Sequence, residues 1–414
     1  MDVKRLQLWQ ERTATLISND SMRVVIEDWG SSVVELSNIT PQGGRLNAYP
    51  MFHFKSTGSS IASDVNSEYW QNRELLYHLG GSFFNFPNFG PEHHIGSTLH
   101  QEHGWTSHAR WQCVKYGTDF ELGANWVLYK TTNEDKDSPF TVYKIFMMIP
   151  SHPVLYSSVK IVNEGDAPLE ANAAWHNTVG PPFLESGCVV NLSADLFSVH
   201  PQERYFDSMS RLKSGSEFDD LGKAPLKGDG VCDLREISGP IGFTDYVSGK
   251  IPRNEKLGWS SVVNPRHKMI YFTFFTGPGA AEENEIVLRF NNLWMQYGGR
   301  PFTPWALYDG GTDQTFCLGI HSSIGYYNCG LKDSLENKSL LDEPTTFTIE
   351  PKKSGVLRHA TAFVPYENPK MDQGIQTVEQ VVEGLVLKRG KAWAFIESDS
   401  IFHFLKELEK KILG

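Results

Sequence analysis

Histidine takes or gives a proton near neutral pH without help, because its unperturbed pKa is about 6.5. This chain carries 14 histidines, unevenly spaced. His93, His94, His100, His103 and His108 crowd one segment, followed at once by Arg110 and Trp111. His176 stands alone in WHNTVGPPF, and His321 in LGIHSS. His100 and His103, three residues apart, could share a metal ion. A metal site usually adds a third ligand with clear spacing and an orienting shell, and nothing in the sequence forces one. No metal and no cofactor are therefore expected. Each histidine can equally be a satisfied core group, and His93 and His94 can belong to a solvated loop.

Other chemistries leave no mark. The chain has no GxSxG, no Walker A and no strand-GxGxxG-helix unit. A glycosidase pair of carboxylates fits an acidic, β-rich chain, but no spacing picks one out. The net charge of -11 disfavours nucleic acid, which needs clustered Lys and Arg to displace counterions. Membrane surfaces are disfavoured for the same reason. No long apolar run occurs, and the opening MDVKRLQLWQ is charged rather than signal-like. The five cysteines are odd in number and lack CxxC spacing, so reduced thiols and a cytoplasmic location are expected.

The elements that must position these residues read as strands. TVYKIFMMI (141–149), VLYSSVKIV (154–162) and MIYFTFF (269–275) are β-branched and aromatic, and Pro, Asn or Gly ends each. Residues 285–297 alternate apolar with polar. Short strands with few helical stripes between them imply an all-β sandwich or barrel. Residues 201–239, rich in Ser, Gly, Asp and Lys, read as a long surface excursion. IFHFLKELEKKIL (401–413) has helical spacing, with Asp399 or Ser400 as its N-cap. Residues 1–370 are expected to form one β-sandwich domain, and 371–414 a C-terminal extension ending in that helix.

Three collinear segments resemble the aldose 1-epimerase (galactose mutarotase-like) superfamily. They are GGSFFNFPNFG with HQEHGWTSHARW, then VKIVNEGDAPLEANAAWHNTVGPPF, then LWMQYGGRPFTPWALYDGGTDQTFCLGIHSS. Between the last two, GFTDYVSGKIPRNEKLGWSSVVNP resembles the strand that carries an acidic sugar contact. The resemblance implies a large β-sandwich of the mutarotase-like supersandwich type and a small-molecule partner, a free sugar or a sugar phosphate. Three departures stand out. His321 replaces the family glutamate, Leu79 replaces an arginine before the Gly-Gly pair, and the segment holding Arg110 is stretched.

Mutarotation opens a hemiacetal ring and closes it on the other face of C1, so a base and an acid must reach one pyranose together. By resemblance, His176 is the acid that protonates the ring oxygen, and His103 hydrogen-bonds the sugar. His321 occupies the place of the base, and to act it must be held neutral. Glu102 and Asp313 are the alternative bases. Asp245 is the expected acceptor for sugar hydroxyls. Arg110 is the expected fork to hydroxyls or a phosphate. Trp105, Trp294 and Trp305 lie near the motifs, where a sugar's C–H face could pack, although core packing serves most tryptophans. The leading expectation is an isomerase that interconverts sugar anomers. Its rivals are a non-catalytic sugar-binding protein on the same scaffold and a carbohydrate hydrolase or lyase.

Overall fold

The computed structural model describes residues 2–8, 12–50, 75, 80–135, 138–201, 209–301, 305–306, 308, 310–313 and 315–414. The β-branched and aromatic runs pair antiparallel into two large sheets. Five strands of the 12-stranded sheet frame the site: β1 (Ser82–Asn85), β2 (Ala173–Val179), β3 (Phe243–Lys250), β4 (Phe290–Tyr297) and β5 (Phe316–Ile324). Their order across the sheet is β1-β2-β5-β4-β3. Four strands between Asp2 and Ile39 continue it past β1, and Leu196–Val199 and Glu217–Phe218 continue it past β3.

The 8-stranded sheet lies beneath and contains three of the expected strands, as Phe140–Met148, Val154–Asn163 and Met269–Thr276. Alternate side chains from both sheets meet in one core, among them Ile26, Trp111, Phe146, Val159, Trp175, Tyr271, Leu293 and Ile320. Each fully buried aliphatic or aromatic side chain there contributes about 1.5–3 kcal/mol. Strands buried on both faces carry no regular polar alternation, which is why these runs are mostly apolar, with Lys144, Ser157 and Ser158 as buried exceptions.

The outer face of the 8-stranded sheet is covered as well. A three-stranded sheet (Thr377–Val381, Gly384–Arg389, Ala392–Glu397) and the helix His403–Leu413 lie over it. Leu385, Leu387, Ile396, Phe402, Leu405 and Leu408 fill a second core against Tyr156, Trp259, Phe272 and Phe274. Arg358 anchors the helix with a two-pronged pair to Glu409, at 3.0 and 2.7 Å.

Two expectations need correction here. The residue preceding the helix is Phe402, in the left-handed region at φ 60° with no side-chain cap. Asp399 reaches in from further back, accepting from the Phe404 amide at 2.7 Å. The stretch 209–239 is also less of an excursion than its composition suggests. It buries Leu212, Leu221, Leu234 and Ile237 in the main core.

Candidate functional site

The site is written by sheet register. The pairing of Trp175 with Ser322 and of Thr178 with Gly319 sets His176 opposite His321. His176 pairs with Phe83 on its other side, and His321 with Asn292, which pairs with Ser248. Successive residues of a strand point to opposite faces. Phe83, His176, His321, Asn292 and Ser248 therefore form one row across five strands, on the face turned away from the main core. Their neighbours Phe84, Trp175, Ile320 and Leu293 point into that core.

The rings are close. The His176 and His321 centroids lie 3.9 Å apart, and His103 stands edge-on to His176 at 5.1 Å. Phe83 stacks on His176 at 4.5 Å, and Phe89 meets both His103 and His321. Tyr246 lies 6.5 Å from His321, and Trp294 lies 6.3 Å from His176.

His103 comes from a loop rather than a strand. It adopts φ 57°, a conformation side chains seldom take, and its amide donates to the Gly90 carbonyl at 2.8 Å. Gly104 follows at φ 80°, where a Cβ would stand 2.5 Å from the Phe86 carbonyl oxygen. That close approach swings the imidazole of His103 over β1 and β2.

Burial sets the electrostatics. The His176 pKa is pushed well below the ordinary imidazole value, first by burial and then by the neighbouring imidazoles. His321 is pushed down to about 3, again by burial and then by His103. Both rings are thus neutral at pH 7. His176 Nδ1 lies 3.2 Å from the Thr178 hydroxyl, whereas neither ring nitrogen of His321 has a hydrogen-bond partner among the described residues. A buried, unsatisfied polar group costs about 1–3 kcal/mol, and His321 carries two on one ring.

Gly319 makes room for that ring. A Cβ at this position would sit 2.3 Å from His321 Nε2. The imidazole lies down over β5 because Gly319 has no side chain.

Among the sequence-derived candidates, the structure brings His103, His176 and His321 together and leaves two out. Asp245 sits on the same strand as Tyr246 but faces the other way. Its carboxylate accepts from Ser210 Oγ (2.8 Å), the Arg211 amide (2.8 Å) and Arg211 Nε (2.9 Å), with no exposure to solvent. Arg110 is exposed and turns toward Thr13, in a surface hollow shared with Arg5, Asp28 and Trp111. No contact among the described residues joins it to the imidazoles. Leu79 lies outside the described residues.

The alternative base Asp313 accepts from Gln296 Nε2 and from the Arg300 and Thr315 amides, which makes it a loop anchor. Of the tryptophans, Trp294 and Trp305 meet edge-on beside the row, and Arg300 lies 5.3 and 4.7 Å from their ring centres. Trp105 instead bonds Thr131. His93, wedged between the Pro91 carbonyl and the Lys332 amide, stacks on His100 and fixes a hairpin. No group of three or more His, Cys, Asp or Glu among the described residues could hold a metal ion.

No family model matches the chain, and no curated protein does. Solved structures do match over most of its length. A Klebsiella pneumoniae protein, provisionally named an aldose 1-epimerase, superposes with a TM-score of 0.63 over 88% of this chain and 83% of its own, at 13% identity. A galactose mutarotase-like protein from Clostridium acetobutylicum gives 0.56 over 88% and 99%, at 15% identity. The fold is galactose mutarotase-like. An aldose epimerase homologue from C. elegans gives 0.55 over 86% and 100%, at 8% identity. At these identities the mutarotase-like likeness concerns the fold, and the chemistry has to be argued from the imidazole row itself.

Proposed function

We infer that this protein is a sugar-binding isomerase of the aldose 1-epimerase type, interconverting the anomers of an aldose. The observation that carries the reading is the pair of buried, neutral imidazoles, His176 and His321, 3.9 Å apart, with both His321 nitrogens unpartnered among the described residues. A pyranose placed over the row meets Trp294 with its C–H face and the imidazoles with O1 and O5.

In this reading His321 takes the O1 proton while the C1–O5 bond breaks and C1–O1 becomes a carbonyl. His176 donates its N–H to the departing O5. On closure His321 returns its proton to O1 and His176 recovers its own from O5, so charge and protons balance over the cycle. Rotation about C1–C2 and the reverse steps close the ring on the opposite face. His103, edge-on to His176, orients the sugar or His176 itself in this reading. Asp245 and Arg110, directed elsewhere, take no part. A phosphate on the sugar would meet Arg300 rather than Arg110.

Anomer exchange measured by NMR or polarimetry across a panel of aldoses tests the reading. We expect acceleration over buffer, reduced about 100-fold or more by His176→Asn and by His321→Ala, as befits the loss of a general acid or base. Because burial holds both imidazoles down, the rate should stay level through pH 6.5 and fall only in stronger acid. An exchange rate equal to buffer for every aldose would refute it, and sugar affinity without exchange would leave a binding protein.

A further inference from the structure

The strand Ala392–Glu397 pairs with Gly384–Arg389 on one side and, among the described residues, with no strand on the other. Its side chains alternate strictly. Ala392, Ala394 and Ile396 are buried, while Trp393 and Phe395 point outward at 62% and 41% exposure. Outward positions of a solvated strand are normally polar, and free edges are normally protected by Pro, a bulge or an inward charge. This strand has none of these. The charges on the strand itself and next to it in the chain stand at its two ends, Lys391 and Glu397, both exposed and both without an ion pair among the described residues.

We propose that this edge joins two copies of the chain, the strand pairing antiparallel with itself about a twofold axis at Ala394. The sequence KAWAFIE is self-complementary in that register. Lys391 of one copy faces Glu397 of the other, twice over. Trp393 faces Phe395, an aromatic cross-strand pair on the outer face, and Ala392 faces Ile396 on the inner one. A one-residue slip would set outward side chains against inward ones. A shift of two residues either way sets Lys391 against Phe395 or Glu397 against Trp393. Only the Ala394-centred register satisfies both charges and both aromatics, and an isologous interface requires such self-matching. Opposite charges at the ends favour a second copy over an uncharged ligand such as a glycan.

Sedimentation of the full chain over a wide concentration range tests the proposal. A reversible dimer is expected. Lys391→Glu turns both end pairs into like charges and should weaken association about tenfold. Glu397→Lys should do the same, and the double reversal should restore it. Trp393→Asp, with its circular dichroism unchanged, should be monomeric. A wild-type chain that is monomeric throughout overturns the proposal. So does a dimer indifferent to Trp393→Asp, or one that the double reversal fails to restore. A monomer whose Trp393 fluorescence shifts with a soluble β-glucan also overturns it and gives the face to sugar.

Discussion

At the scale of single residues, the site depends on a side chain that is missing. Gly319 sits beneath His321, and a methyl group there would press on Nε2 at 2.3 Å. Gly319→Ala should cost about 1–3 kcal/mol of stability through overpacking. It should also lower any anomer exchange more than sugar affinity, because the ring is displaced while the remaining row is not. Imidazole NMR shifts compared with those of wild type would check this, and an unmoved His321 signal would contradict it. The histidines were legible in the sequence because each lies inside a recognisable motif. Asp245 and Gly319 were not. In TDYVSG both faces of the strand are buried, so the alternation that would assign Tyr246 to one face and Asp245 to the other is erased. A one-residue difference in face decided that candidate. Phe83, stacked on His176, stayed hidden for a related reason, since it is one of several phenylalanines in FFNFPNF that core and site share.

At the scale of elements, the 8-stranded sheet is sealed by the C-terminal helix and the three-stranded sheet. Helical spacing announced the helix, but the sheet beside it was missed, because TVEQV is polar and AWAFIE reads as a short amphipathic run. The joint between the two is Phe402, 1% exposed, with its ring against Tyr156 and Phe274. Phe402→Ala should destabilise the whole chain by about 3–5 kcal/mol, the usual cost of emptying an aromatic pocket. Urea unfolding followed by tryptophan fluorescence would measure it. A loss confined to the helix signal, with the β-sandwich transition unmoved, would show that the C-terminal unit is an independent attachment.

At the scale of the molecule, the fold holds several histidines neutral by burying them. His200, His321 and His359 are pushed down to about 3 by burial, and His100 to about 4. In the unfolded chain these imidazoles take protons as pH falls through about 6.5. The folded chain resists until far lower pH, so between the two values the unfolded state binds more protons and stability drops as acid is added. The urea midpoint should therefore fall between pH 7 and pH 4.5. His359 is stacked between Trp175 at 4.7 Å and Phe275 at 6.1 Å. His359→Phe keeps that stack and removes one titrating group, so its decline should be shallower. Equal slopes for variant and wild type would contradict this assignment.

The double covering of the 8-stranded sheet has a consequence for how such a chain can change. In Met269–Thr276 the side chains turned one way belong to the core between the sheets, and those turned the other way to the core beneath the C-terminal unit. Neither half of the strand is free to drift toward polarity. Substitutions are therefore absorbed best outside this strand, at the rim of the other sheet, where neither packed layer is disturbed.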